Sequence, residues 1–131
     1  MTKLNPRPAK AIASALFLVA LLASPCMAEV ALPSLVGSYV VKGGNPSGTE
    51  YGRTATLDIS LGPSGLLELS WDSGSYVGIG QITGDVLAVA SASGGEPVIM
   101  IMKINSDGSL EGKWWRRTDR GTRGYEVWRR K

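Results

Sequence analysis

Histidine is absent from the 131-residue sequence, and cysteine and phenylalanine each occur once. Without histidine or a second cysteine, the chain cannot build a Ser-His-Asp triad, a Cys-His pair or the common zinc sites. Carboxylates fall mainly in turns, as Asp72 does, or on outward strand positions, as Glu68 does, where they are solvated. We therefore expect a protein that is not an enzyme and has no metal and no cofactor.

The first 28 residues have the pattern of a signal peptide. Lys3, Arg7 and Lys10 form a positive start, and the thirteen residues of 11–23 form an apolar run that is short for a membrane-spanning helix. A cleavage site with small residues follows and ends at Ala28. We expect export to the periplasm or to the outside of the cell.

Two alternatives to a cleaved signal peptide are a membrane anchor and a lipoprotein acylated at Cys26. The short apolar run disfavours the anchor, and Pro25 directly before the cysteine disfavours the lipoprotein. Cleavage after Ala28 leaves residues 29–131, which is 131 − 28 = 103 residues, and removes the only cysteine. That length predicts one domain, held by an apolar core without disulfides and without a transmembrane segment.

Charge is distributed very unevenly along the expected mature chain. Residues 29–112 carry three basic and nine acidic residues, whereas residues 113–131 carry eight basic and two acidic ones. The acidic and basic totals therefore cancel, with the positive charge gathered at the C-terminal end.

Short runs of alternating apolar and polar residues, closed by Gly, Asn, Asp, Ser and Pro, predict an all-β fold. Eight strands are expected, joined by connections short enough for hairpins. They are Gly37–Lys42, Tyr51–Leu61, Leu66–Trp71, Ser75–Thr83, Val86–Ser91, Val98–Asn105, Leu110–Arg117 and Gly124–Arg130.

Eight antiparallel strands in up-and-down order favour closure into a small barrel, which hides the sheet edges. A two-sheet β-sandwich is the alternative. A membrane-spanning barrel is disfavoured because several runs have only six or seven residues. If the barrel holds a cavity, the alternation predicts an apolar lining of Leu57, Leu69, Trp71, Tyr76 and Met100.

Two runs are apolar on both faces, which leaves an outward apolar set of Val86, Ala88, Ile99 and Ile101. Exposed contiguous apolar area usually marks an interface. Two expectations stay open: a homodimer through this patch, or coverage of the patch by residues 30–36.

The C-terminal hairpin combines basic and aromatic side chains. Alternation places Trp114 on one face and Trp115 on the other, so one anchors the core and one lies outside beside arginine. Basic residues beside an exposed aromatic suit an anionic polymer. The candidate binding residues are Trp115, Arg116, Arg117, Arg120 and Arg123. A solvated hairpin that pairs with the acidic part of the chain is the alternative.

Several short motifs, spread over nearly the whole mature chain, resemble a group of small exported proteins of Gram-negative bacteria, mostly uncharacterised and sometimes labelled fibronectin-binding. The motifs are Gly37-Ser38-Tyr39, 44–48 (GNPSG) with Tyr51-Gly52, Leu69-Ser70-Trp71, Tyr76 with Gly78 and Gly80, 84–89 (GDVLAV), 107–114 (DGSLEGKW) and 124–128 (GYEVW).

The plan is also similar, more loosely, to the eight-stranded meander barrels of the lipocalin and avidin superfamily. Members of that superfamily carry an early Gly-x-Trp and a late arginine that packs on it. The resemblance implies that Tyr39 takes the place of the tryptophan and Arg129 that of the arginine.

Together these features predict an exported, non-catalytic binding module that engages a macromolecule with acidic patches through the basic hairpin. The expected partner is an acidic polysaccharide or protein of the envelope or of a host, and no specific nucleic acid. A carrier of small hydrophobic ligands, of lipocalin or avidin type, and a structural protein of the envelope are the alternatives.

Overall fold

Residues 30–131 form nine strands, and eight of these strands close into a ring. The computed structural model describes residues 30–131, so the signal peptide predicted over 1–28 lies outside the described residues. The strands are β1 (Gly37–Gly44), β2 (Glu50–Tyr51), β3 (Thr56–Leu61), β4 (Leu67–Trp71), β5 (Tyr76–Thr83), β6 (Val86–Ser91), β7 (Val98–Ile104), β8 (Leu110–Arg116) and β9 (Gly124–Arg130). Three 3₁₀ turns accompany them, at Leu32–Leu35, Asp72–Gly74 and Ser93–Gly95, and residues 30–131 contain no α-helix.

Pairing between the first and last strands closes the barrel. The strands follow the order β1-β3-β4-β5-β6-β7-β8-β9, every pair is antiparallel, and β9 returns to β1. The β1–β9 register runs from Tyr39 opposite Arg130 to Gly44 opposite Tyr125. This closure confirms the predicted up-and-down barrel and rules out the open β-sandwich.

The second predicted strand, Tyr51–Leu61, divides into β2 and β3. β2 pairs with β1 alone, so it lies outside the ring of eight. The interruption includes Gly52, whose φ of +118° favours glycine and is incompatible with regular strand geometry. The strand resumes after Ala55, whose carbonyl accepts a hydrogen bond from the Val41 N–H at 3.0 Å.

Alternation along the strands fills the interior with apolar side chains. Trp128 is fully buried at its centre and packs edge-on against Tyr39 and Trp71, with ring centroids 6.5 Å and 5.9 Å apart. Edge-to-face contacts of this kind add to the stability gained from burial alone.

Residues 30–36 pack on one end of the barrel. Leu35 is buried there, and its carbonyl accepts a hydrogen bond from the Tyr39 hydroxyl at 2.8 Å. Arg130 holds the same end: its guanidinium lies 5.2 Å from the Tyr39 ring centroid and donates to the carbonyls of Ser34 and Val36. The arginine that packs on Tyr39 is therefore Arg130. Arg129 was the wrong choice, because β9 alternation turns it outward.

Residues 30–36 do not cover the outward apolar set of β6 and β7. Val30 donates its N–H to the carbonyl of Gly84, in the turn between β5 and β6 at the end of the barrel. Ile99 and Ile101 stay 48% and 40% exposed. The expectation that this segment covers the patch is therefore wrong, because the segment is used to close the barrel end. In the described part of the chain, no helix has the length and apolar character to cross a membrane.

Candidate ligand site at the barrel mouth

The end of the barrel opposite residues 30–36 is an open mouth. It is framed by the connections that follow β1, β4, β6 and β8. These strands all point the same way because neighbouring strands are antiparallel. Their connections, 45–49, 72–75, 92–97 and 117–123, therefore lie together. The Thr118 hydroxyl joins two of them by donating to the Glu96 carboxylate at 2.5 Å.

A cavity of about 680 Å³ opens at this mouth. Its walls carry four aromatic side chains, Tyr51, Trp71, Tyr76 and Trp114, together with apolar, hydroxyl and charged groups. The other lining residues include Asn45, Thr54, Asp72, Val89, Ser91, Glu96, Val98, Met100, Arg116 and Glu126. The volume is typical of pockets that take small molecules.

Glu126 lies at the bottom of the mouth, only 6% exposed, on the inward face of β9. Its Oε2 accepts hydrogen bonds from the indole N–H groups of Trp128 at 2.5 Å and Trp71 at 3.3 Å. Its Oε1 accepts from the Tyr51 hydroxyl at 2.8 Å, and that hydroxyl in turn accepts from the Trp114 indole N–H at 3.0 Å. One carboxylate thus organises three tryptophans and a tyrosine.

Burial is the largest influence on the pKa values of Glu126 and Tyr51. Desolvation raises the pKa of Glu126 above its ordinary value, and the nearby charge of Asp72 adds to the rise. The hydrogen bonds from Trp128, Tyr51 and Trp71 favour the charged carboxylate and act in the opposite direction. Burial also raises the pKa of the Tyr51 hydroxyl, with further contributions from the Glu126 charge and its hydrogen bond.

The β4–β5 turn at the mouth holds an uncommon backbone. Asp72 and Ser73 have φ angles of 47° and 59°, and they are the only residues in 30–131 other than glycine with positive φ. The Asp72 carboxylate accepts a hydrogen bond from the Thr56 N–H at 2.9 Å, which ties the turn to β3. Such conformations persist where the surroundings impose them, and they cluster at functional sites.

The residues predicted to line a cavity separate into two groups. Trp71, Tyr76 and Met100 do line the mouth, although Tyr76 is 57% exposed at its rim instead of enclosed. Leu57 and Leu69 do not line it; both are fully buried among the other core side chains. The cavity occupies only the mouth, since side chains fill the rest of the interior.

The predicted basic hairpin places its residues on two different surfaces. Trp115 faces outward and is half-buried, with the Arg123 guanidinium 4.6 Å from its ring centroid. Arg116 faces inward, lies 5.6 Å from the Trp114 ring centroid, and pairs with Asp119 at 3.2 Å. It belongs to the mouth and not to the outer surface, because the alternation along β8 assigns it the same face as Trp114.

Arg117, Arg120 and Arg123 are exposed in the connection 117–123. Its only acidic residue, Asp119, is engaged by the backbone and side chain of Arg116, and these hydrogen bonds lower the pKa of the Asp119 carboxyl. The three arginines therefore present positive charge at the rim, and the predicted cavity and the predicted basic surface meet at one end of the barrel.

Sequence reasoning missed the roles of Glu126 and Tyr51. A signal for Glu126 was present, since it shares the inward face of β9 with Trp128, two residues later. An acidic residue at an inward position of a strand predicts a buried, hydrogen-bonded carboxylate. No local signal marked Tyr51, because its contact with Glu126 depends on pairing between distant strands.

The described residues contain no cluster of three or more His, Cys, Asp or Glu side chains arranged to hold a metal ion. No protein-family model matches the chain, and no curated protein matches it at a significant level.

Proposed function

We propose that the protein is a non-catalytic binding module that takes a small, partly apolar ligand into the mouth of its barrel. The observation that carries this proposal is the aromatic lining of an open cavity of about 680 Å³. Pockets of this kind combine apolar walls with a few polar groups that fix orientation. Export to the periplasm or beyond remains part of the proposal.

The hydrogen bonds of Glu126 support a preformed pocket. They hold Trp71 and, through Tyr51, Trp114 in fixed orientations before any ligand arrives. A pocket with prearranged walls loses less side-chain freedom on binding, which favours affinity. Tyr76 at the rim remains largely exposed, so a ligand that enters the mouth can cover its ring.

The test is binding of the neutral fluorescent probe N-phenyl-1-naphthylamine to the purified protein, at low and high salt. We expect salt-independent binding, weakened roughly fivefold or more by Tyr76→Ala, since an aromatic ring at a binding site contributes more than about 1 kcal/mol. Tyr125→Ala is the matched control, because Tyr125 is an exposed tyrosine on the outer face of β9.

Suppose that both tyrosine variants bind the probe equally well and that Ile99→Ser, a change on the outer face, abolishes binding. The probe would then bind to the outer apolar surface, and the proposal that the mouth binds it would be wrong. Thermal unfolding of each variant checks that the fold is intact. Competition by unlabelled candidate ligands then identifies the chemistry that the mouth prefers.

A second candidate function is binding of an anionic macromolecule at the rim. The exposed Arg117, Arg120 and Arg123, with no acidic residue of their connection left to pair with them, favour it. Binding of an anionic polysaccharide such as heparin should fall steeply with salt, since exposed charges are screened. It should also fall in Arg117→Ala and Arg120→Ala and stay unchanged in Lys103→Ala, a basic residue of β7.

A further inference from the structure

The outer surface of β7, β8 and β9, three neighbouring strands of the ring, combines apolar, aromatic and basic side chains. Ile99 on β7 lies opposite Trp115 on β8. In the next row, Ile101, Lys113 and Tyr125 lie side by side on β7, β8 and β9. Ile99, Ile101 and Tyr125 are 48%, 40% and 37% exposed. These side chains therefore form one contiguous surface that faces away from the barrel interior.

A cation lies over each of the two aromatic rings on this surface. The Arg123 guanidinium is 4.6 Å from the Trp115 ring centroid, and the Lys113 ammonium is 5.7 Å from the Tyr125 ring centroid. The Tyr125 hydroxyl also donates to the Glu50 carboxylate at 3.1 Å. Tryptophan and tyrosine are enriched at membrane–water interfaces, where their rings lie at the level of the lipid headgroups. Lysine and arginine beside them are attracted to anionic lipids.

The charge on and around this surface is mostly positive. The outward positions of β7, β8 and β9 carry three basic residues and one acidic residue, namely Lys103, Lys113, Arg129 and Glu111. Arg117 and Arg120, both exposed, extend the positive charge into the connection that joins β8 to β9. The acidic residue of that connection, Asp119, is engaged by Arg116. A partner of this surface must therefore be anionic.

The apolar side chains add a second requirement. A contiguous exposed apolar patch marks a contact surface, whereas isolated exposed apolar residues are ordinary. A soluble anionic polymer would contact the cations but would leave Ile99 and Ile101 in water. A bilayer that contains anionic lipids offers phosphates to the cations and acyl chains to the isoleucines, so it satisfies both requirements.

We propose that this surface docks the protein on a bilayer that contains anionic lipids. Ile99, Ile101 and Trp115 enter the boundary between the headgroups and the acyl chains. Lys113 and Arg123 contact lipid phosphates. Buried apolar area and attraction to anionic lipids both strengthen binding of this kind. None of these five side chains lines the mouth cavity, so the inference holds whichever ligand the mouth takes.

The test is flotation of the purified protein with vesicles of phosphatidylglycerol and phosphatidylcholine in equal amounts. We expect binding that weakens at high salt and is at least about tenfold weaker on vesicles of phosphatidylcholine alone. Ile99→Asp should weaken binding about tenfold or more, because it removes an apolar contact and adds a charge that the lipids repel. Leu61→Asp is the matched control. Leu61 is an exposed leucine on β3, which lies four strands from β7 and thus on the opposite side of the ring of eight.

A second pair of variants measures the contribution of charge. Lys113→Gln should weaken binding about fivefold, which is the usual contribution of one basic residue at an anionic membrane surface. Arg53→Gln should leave binding unchanged, since Arg53 is an exposed basic residue between β2 and β3. Thermal unfolding close to that of the wild type shows that each variant is folded.

Trp115 reports insertion directly. The other three tryptophans of the chain are buried, and Trp115 is the one that faces outward. Vesicles whose acyl chains carry bromine, which quenches nearby tryptophan, should therefore lower the fluorescence of the bound protein. Trp115→Phe should remove at least half of this quenching and still bind, because it keeps an apolar ring at the interface.

Absence of binding to the anionic vesicles would overturn the inference. Binding without quenching by the brominated chains would overturn the insertion of this surface and leave a purely electrostatic contact, such as one with a soluble anionic polymer. Equal effects of Ile99→Asp and Leu61→Asp would overturn the choice of surface, and so would quenching that Trp115→Phe leaves intact.

Discussion

Tyr51 and Glu126 meet across Gly43, although 75 positions separate them in the chain. Gly43 pairs with Tyr51 on one edge of β1 and with Glu126 on the other. An added Cβ at Gly43 would lie 2.6 Å from the Tyr51 ring, so only glycine lets the ring cross β1. The hydroxyl then reaches Glu126 Oε1 at 2.8 Å. The short strand outside the ring thus supplies a residue that lines the mouth cavity and that is also a partner of the buried carboxylate.

Removal of the buried carboxylate should destabilise the barrel. Glu126→Ala leaves the hydrogen-bond donors of Trp71, Trp128 and Tyr51 without their acceptor, and we expect a loss of about 2–4 kcal/mol in the free energy of unfolding. Urea denaturation measures it. Glu111→Ala, at an exposed position on the outer face of β8, should change stability by less than about 0.5 kcal/mol. Equal stability of the two variants would show that the network contributes nothing.

Stability should depend on pH through Glu126. Its pKa in the folded protein is raised above the ordinary 4.5, chiefly by burial, so the folded state binds the proton more tightly than the unfolded state. Protonation of Glu126 therefore makes its full contribution to the free energy of unfolding at pH values below 4.5. This contribution is lost as the pH rises through the raised pKa.

Glu126→Gln has no such titration. The free energy of unfolding of the wild type, minus that of this variant, should fall as the pH rises across that window. Urea denaturation at a series of pH values gives the difference and cancels the other titrating groups. A difference that rises with pH would mean that the hydrogen bonds outweigh burial and lower the pKa.

The two consecutive arginines near the end of β9 should differ in importance. Arg130→Ala removes the contact with Tyr39 and the hydrogen bonds to Ser34 and Val36, and we expect a loss of about 1–2 kcal/mol. Amide hydrogen exchange should also accelerate in residues 31–36. Arg129→Ala, which changes an outward side chain, should alter neither property, and equal effects of the two variants would contradict the assignment.

The predicted export of the protein can be tested separately. Expression of the whole sequence in a Gram-negative host should yield a protein that begins at Glu29, because the expected cleavage follows Ala28. Intact mass spectrometry of the periplasmic fraction measures the start. A product that retains residues 1–28 in the membrane fraction would favour the anchor, and a lipid-modified product that begins at Cys26 would favour the lipoprotein.

Much of the barrel followed from local sequence. Along β4 and β6, alternation separated the inward from the outward residues correctly, because successive side chains of a strand point to opposite faces. The eight-stranded order followed from hairpin-length connections. The break in the second predicted strand was missed, because the positive φ of Gly52 lies in an interruption whose position depends on how β2 and β3 pair with β1.

The candidate site was less accessible to sequence reasoning. Trp71, Tyr76 and Met100 were placed on the correct face, but alternation alone did not show that Leu57 is fully buried while Tyr76 lies exposed at the open rim. Depth along the barrel axis depends on how each strand is staggered against its neighbours. Arg116 was predicted as one of the binding residues of the basic hairpin, and its strand position turns it to the mouth.

Most of the strands, their order and the face of most side chains could be read from the amino-acid pattern, because these follow from a period of two residues and from short connections. The contacts between distant residues could not, because they form only when the barrel closes. The closure of β1 on β9 brings Arg130 to Tyr39 and Glu126 to Tyr51. These contacts depend on the register between strands far apart in the chain, which no local pattern specifies.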